Sequence, residues 1–249
     1  VGGTQLSNYM LPTSASGQGV INRAALTVTA DSAGKFSGNA DPVFTATTSG
    51  LKGSDSVTVT VSRSDAASSG AETVGVHSGV IVPVVTSTVT SGNYTITTNN
   101  ADFNIAGAGT ILITAGSAIK TYGDLKSTDS LQAVAVPTAI MCKANATQCT
   151  GAALFSLSVT NNSGQWVATE PTTSVSNPDA NGSSYSFSYG ASAGAYSTGT
   201  FLKVGNYKLT PSNGVLNSGQ SNLSTTTPFL YVTGNISVTP LTISPTNLS

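Results

Sequence analysis

Six short runs in this chain alternate apolar and polar residues with a period of two: "LTVTA" (26–30), "SVTVTVSRS" (56–64), "YTITT" (94–98), "ILITA" (111–115), "FSLSVT" (155–160) and "LTISP" (241–245). Each is rich in β-branched residues and bounded by Gly, Asn, Ser or Pro, as strands are. Alternation places one side chain in the core and the next in water, which predicts half-buried antiparallel sheets. No segment sustains the i, i+3, i+4 apolar spacing of a helix. The chain is therefore expected to be mostly β.

Charge narrows the function. Only 8% of the 249 residues are charged, and 9 Lys+Arg against 10 Asp+Glu leave a formal net charge of −1. So few cations cannot build the basic surface that binds a phosphate backbone, so no nucleic-acid partner is expected. Disorder is disfavoured, because the 39% of hydrophobic residues recur in alternating runs. No run approaches the roughly 18 apolar residues that span a bilayer as a helix, so no transmembrane segment is expected. The chain opens on Val1-Gly2-Gly3, without Met, a basic region or a cleavage site, and reads as an internal fragment of a longer exported protein.

The runs also repeat. "ALTVTADSAGKFSGNADPVFTA" from Ala25 parallels "TILITAGSAIKTYGDLKSTDSL" from Thr110: Leu26 and Ile111, and likewise Lys35 and Lys120, stand 85 positions apart (26 to 111, 35 to 120). "ISVTPLTISP" (236–245) begins the pattern a third time. The expected organisation is the tail of a preceding unit (1–24), a unit at 25–109, a second at 110–240 and, at 241–249, the first strand of a following unit or a C-terminal tail. "VGVHSGVI" from Val74 and "VGNYKLTPSNGVL" from Val204 mark matching unit ends. The second unit then carries about 45 extra residues within 123–203. No Pro-rich or charged linker separates the units, which predicts an elongated array and a monomeric fragment of a long filament.

The sequence Leu26 to Ala30, Lys35 to Pro42, Ser49 to Asp55, Arg63, Glu72 to Gly75 and Asn93 to Thr97 resembles the MBG ("mostly β-grasp") repeat. The family's "KxYGD" stands at Lys120 to Asp124, whereas the first unit has Phe36-Ser37 at the "xY" positions. The middle, roughly 130–200, departs from the pattern, and "GTFLKVGNYKLTPS" (199–212) also suits a bacterial immunoglobulin-like module. The resemblance implies tandem β-grasp-like or β-sandwich-like domains. It also implies the setting of surface exoproteins similar to filamentous haemagglutinin, exported by two-partner secretion from Gram-negative bacteria to the outer-membrane exterior. The implied roles are adhesion to a host or bacterial surface glycan or protein, biofilm formation, or spacing alone.

Candidate sites are few. Cys142 and Cys149 are the only cysteines, too few with one His for a structural zinc site and wrongly spaced for thiol redox chemistry. A disulfide closing a short surface loop is expected, two free thiols being the alternative. His77, the lone histidine, aligns with Tyr207 and reads as a packing or solvated residue, and no catalytic residue or cofactor is assigned. Asp41, Asp55 and Asp124 read as turn residues bonding their own backbone. Asp124 and Asp129 form too sparse a set for a recognisable calcium loop. The extra segment carries Trp166, Tyr185, Tyr189 and Tyr196, which could stack on sugar rings from exposed loops or fill an enlarged core. Asn93, Asn145, Asn181 and Asn235 head Asn-x-Ser/Thr sequons.

Overall fold

The structure is a computed structural model that describes residues 17, 19, 21–66, 72–86, 92–124, 135–171, 182–191, 203–218 and 228–241. Among these there is no α-helix, only a 3-10 turn at Gly151–Ala153. A first set of strands comprises β1 (Ala24–Ala30), β2 (Ala33–Phe36), β3 (Ala46–Ser49), β4 (Val59–Arg63), β5 (Gly75–Val85), β6 (Tyr94–Asn99) and β7 (Ala101–Ala106). A second set follows: β8 (Ile111–Thr114), β9 (Ala118–Thr121), β10 (Thr138–Cys142), β11 (Leu154–Asn162), β12 (Gln165–Thr169), β13 (Ser184–Ala191), β14 (Gly205–Ser218), β15 (Phe229–Val232) and β16 (Gly234–Thr239). The expected mostly β fold is what the chain adopts. Of the six alternating runs, "LTISP" lies outside the described residues beyond Leu241.

The first set forms two sheets, in the orders β6-β1-β3 and β4-β5-β7-β2. The second set forms one nine-stranded sheet, β15-β8-β10-β11-β12-β13-β14-β16-β9. The two orders coincide strand for strand once β11 and β12 are set aside. Registers coincide too. Leu26 faces Ile96 and Ile111 faces Phe229, while Lys35 faces Ile105 and Lys120 faces Val238. In both comparisons the first partners differ by 85 positions and the second by 133 (96 to 229, 105 to 238). Val61 opposite Pro83 has its counterpart in Tyr189 opposite Pro211, both 128 positions on. The added material is thus a β-hairpin that enters between β10 and β13 and joins two sheets into one.

That hairpin forms where the sequence favours it. Ser163 and Gly164 connect its strands with φ of 53° and 93°. A two-residue turn with φ > 0 at both positions matches the right-handed twist of paired strands. Asn161 Oδ1 accepts the Gly164 N–H at 2.8 Å. Ser158 to Asn162 of β11 then pair with Gln165 to Thr169 of β12.

Four of the pairings are parallel: β1 with β6, β2 with β7, β8 with β15 and β9 with β16. This corrects the antiparallel expectation. Alternation records which face of a strand is buried; the direction of its neighbour leaves no mark on it. β8 departs from alternation altogether, with Ile111, Leu112 and Ile113 all buried. Ile111 and Ile113 enter the core of the second set, while Leu112 points the other way into a separate apolar cluster.

That separate cluster joins the two sets. Phe36 and Ala106 of β2 and β7 pack with Leu112, Leu230 and Val232 of β8 and β15. Gly34 lets them approach: a Cβ there would stand 2.8 Å from Val232 Cγ2 and 3.3 Å from Leu112 Cδ1. Beside the cluster, Asn235 Nδ2 donates to Asp31 Oδ1 at 2.5 Å, and the Ser32 and Thr233 hydroxyls lie 2.6 Å apart. At the equivalent place on β9 the second set has Ile119, which is 77% exposed.

Candidate functional site

The aromatic residues of the extra segment do not form an exposed platform. Trp166, Tyr185 and Tyr189 are 3%, 0% and 6% exposed and belong to the largest core cluster. Trp166 meets Tyr189 edge-on, with ring centroids 5.5 Å apart and planes at 88°. The Tyr189 hydroxyl donates to the Ala135 carbonyl at 2.7 Å, and that of Tyr185 donates to the buried carboxyl of Glu170. Burial, reinforced by the Glu170 carboxylate, holds the Tyr185 phenol above its ordinary pKa, and burial pushes Tyr189 up to about 12. Of the two roles the sequence leaves open for these residues, a sugar platform and an enlarged core, the packing of Trp166, Tyr185 and Tyr189 is that of the core. Tyr185, Phe187 and Tyr189 share a parity on β13, so one face of the strand takes all three, and that face is the core. Tyr196 lies outside the described residues.

Cys142 and Cys149 form the expected disulfide, with Cα atoms 5.5 Å apart. It is not a surface staple, however. Both sulfur-bearing residues are buried, at 0% and 2% exposure, inside the cluster that joins the two strand sets. The backbone explains the placement. Gly109 N–H donates to the Cys142 carbonyl at 3.0 Å, and Cys142 N–H donates to the Thr110 carbonyl at 3.1 Å. The connector between β7 and β8 is thereby sewn to the first cysteine. Thr150, next to the second, lies over Gly38 of the first set.

The first set holds a cluster of charges in a chain that has few. Lys35 Nζ lies 2.7 Å from both Asp41 Oδ1 and Glu72 Oε2. Arg63 donates through Nη2 to Glu72 Oε1 at 2.9 Å, and its Nε lies 3.1 Å from Asp65. The guanidinium stacks 4.7 Å from the centroid of the Phe103 ring. Burial opposes the Lys35 charge, but the hydrogen bonds to Asp41 and Glu72 outweigh it and raise the pKa. Hydrogen bonds from Lys35 and Arg63 hold the Glu72 carboxyl below its usual range. Asp41 is accordingly an ion-pair residue rather than a turn residue. Asp55 accepts from the Tyr94 hydroxyl at 2.7 Å, and Asp124 accepts the Thr121 N–H at 3.0 Å as a turn residue does.

His77 is engaged at both ring nitrogens, by Asp65 Oδ2 and by the Thr73 carbonyl, each at 2.7 Å. Its counterpart Tyr207 donates its hydroxyl to the Lys203 carbonyl at 2.9 Å. Both side chains reach back to the carbonyl four residues earlier, and both follow a glycine of positive φ, Gly75 at 138° and Gly205 at 149°. The nitrogen a general base would turn to a nucleophile is thus occupied by backbone.

Among the described residues no group of three or more His, Cys, Asp or Glu gathers as a metal site. Asp129 lies outside the described residues, as does Asn181. Asn93 and Asn145 are exposed, whereas the Asn235 amide is engaged by Asp31. No helix among them is long and apolar enough to cross a membrane. A groove of about 570 Å³ opens beside the junction of the two sets, bordered by Thr45 to Thr48, by Ser117 to Ile119 and by Asn235 and Ser237.

No curated protein matches the chain. The first strand set does have a family likeness: residues 26–104, from within β1 to within β7, match the family model of the MBG domain (YGX type).

Proposed function

We propose that the chain is a stiff pair of tandem β domains within a secreted, surface-exposed adhesin-like protein, contributing reach and rigidity and carrying out no catalysis. The observation that carries this reading is the buried junction. Phe36, Ala106, Leu112, Leu230, Val232 and the disulfide form one apolar cluster between the two strand sets. A hydrophobic interface of this kind resists the relative motion expected of domains linked by a polar contact. The matching strand order and registers support reading the two sets as copies of one domain, and the family match of the first set supports the surface setting. Export by two-partner secretion to the exterior of a Gram-negative cell is the finer form of the same reading. It rests on the resemblance of the repeat to filamentous-haemagglutinin-like exoproteins.

A carbohydrate-binding module built on Trp166, Tyr185 and Tyr189 loses its support, because those three rings are core. Deleting residues 130–200 would remove β10 to β13 and much of that core with them, so adhesion after such a deletion would report misfolding. The informative experiment keeps the fold. Full chain immobilised on beads is offered to glycan arrays and epithelial cells, and its shape is measured by small-angle scattering. A spacer retains neither ligand and shows a single maximum dimension that broadens in Leu230→Ala/Val232→Ala. Specific retention of a glycan or cell at micromolar protein would overturn the spacer reading, and an unbroadened profile in the variant would remove the junction as its basis.

A further inference from the structure

We propose that the free edge of β3, where it borders the groove beside the junction, accepts an extended strand from another polypeptide chain. Among the described residues β3 pairs only with β1, and β9 pairs only with β16. The groove is bordered by the consecutive residues Thr45 to Thr48, which run into β3, and opposite them by Ser117 to Ile119, which run into β9, and by Asn235 and Ser237 of β16. Consecutive residues send side chains to opposite faces of a sheet, so a space bordered by all of them lies along a strand edge, where backbone N–H and C=O groups are presented.

The chain shows what such an edge takes. The counterpart of β3 is β10, which stands beside β8 as β3 stands beside β1. The equivalent edge of β10 is filled by β11, antiparallel, with Ala139 to Cys142 facing Leu154 to Leu157. In the first set the nine residues 50–58 go elsewhere. Lys52 N–H and Asp55 both bond the Tyr94 hydroxyl, and Leu51 and Val57 pack on the core that contains Tyr94. That route leaves the β3 edge without the strand its counterpart has.

The groove's chemistry selects the occupant. Its carboxylate, Asp31, is already held by the hydroxyls of Thr45 and Thr47 and by the Asn235 amide. What remains is hydroxyl groups, backbone and the exposed Ile119 side chain. β3 itself, Ala-Thr-Thr-Ser, carries none of the proline, lysine or bulge devices that blunt an edge. An uncharged strand alternating small hydroxyl and apolar residues fits, with about four residues paired over roughly 13 Å. The junction's hydrogen bonds and apolar cluster hold the two walls, so the groove is largely formed before anything binds.

The probe is a synthetic peptide with the β11 sequence, Leu154 to Asn162, flanked by lysines for solubility and added to the full chain. Amide hydrogen exchange is read by mass spectrometry. The expected result is a gain in protection of at least fivefold at 46–49, with a smaller gain at 117–120. A peptide carrying Ser156→Pro should give neither. Ile119→Asp, at a side chain that packs on little, should weaken binding at least fivefold without changing the melting temperature. A concentration-dependent dimer protected at 46–49 would support the same edge with a second copy as the strand. No gain at 46–49 at millimolar peptide, equal gain with the proline peptide, or association that leaves 46–49 unprotected would overturn the proposal.

Discussion

Phe36→Ala tests whether the two strand sets are one mechanical body. Phe36 is 4% exposed on β2 of the first set, yet its ring packs on Leu112, Leu230 and Val232 of the second. Truncating a buried Phe costs about 3–5 kcal/mol, the sum of lost transfer energy and the cavity left behind. Gly34 permits close approach on one side and the disulfide loop closes the other, so the cavity has little freedom to collapse, which favours the upper half of that range. The chain supplies its own reporter. Trp166 is the only tryptophan and sits in the core of the second set, away from the substitution. With a urea m-value of about 3 kcal/mol/M, cooperative unfolding moves the Trp166 midpoint down by about 1.3–1.7 M. The comparison is Leu26→Ala, buried with Val28 and Tyr94 in a core cluster that lies wholly within the first set. If Phe36→Ala leaves the Trp166 midpoint in place, the junction does not couple the two sets and the rigid-pair argument fails.

The other expectations are briefer. Without reductant neither cysteine should label with a thiol reagent. Replacing both by Ala should cost about 2–3 kcal/mol from loop closure alone, and labelling of native protein would refute the buried bond. Glu72's pKa is lowered on folding from 4.5, so its contribution is present above that value and lost as pH falls through the lowered one. Lys35's is raised from 10.5, so its contribution is full below that value and lost as pH rises through the raised one. Urea midpoints should therefore be flat between these limits as far as this cluster is concerned, and Lys35→Met should remove its alkaline loss; an unchanged alkaline limb would refute the assignment. In an absorbance titration Tyr185 and Tyr189 should ionise only with unfolding, and two phenols titrating early in folded protein beyond the exposed ones would contradict their burial.

Much of the fold was legible because burial leaves a periodic trace. Leu26, Val28 and Ala30 are buried on β1 while the residues between them are not, and the 85-position repeat of Leu26 and Lys35 reappears as a repeated register. The extra segment was legible as length, but its form was not. Nothing local announces that β11 and β12 would fill a gap between two sheets, because that gap exists only once β10 and β13 are in place. The disulfide was legible as a bond and misplaced as a surface feature. Seven positions of separation fix the loop's size, while its burial depends on Phe36 and Leu230, which are remote in sequence. The charge cluster was missed for the same reason. Lys35, Asp41, Arg63 and Glu72 were each visible as motif residues, but only the stacking of β2, β7, β5 and β4 brings them together.

The inserted hairpin is part of the second set's core rather than an ornament on it, and its turn can show this. β11 and β12 contribute Phe155, Leu157, Trp166 and Ala168 to the largest cluster, so misregister at the turn must propagate into that core. Ser163 and Gly164 both hold positive φ, at 53° and 93°. Asn accepts such a conformation more readily than Ser, and Asn-Gly is the favoured pair for this turn. Ser163→Asn should therefore raise stability by a few tenths to about 1 kcal/mol, and Gly164→Ala should lower it by about 1–2 kcal/mol. Neither substitution touches Trp166, yet both should be read through its fluorescence, because the turn fixes which face of β12 carries it inward. The two variants pull in opposite directions through one mechanism. If both leave the Trp166 midpoint unmoved, the turn does not set the register, and the core must be holding the hairpin in place by packing alone.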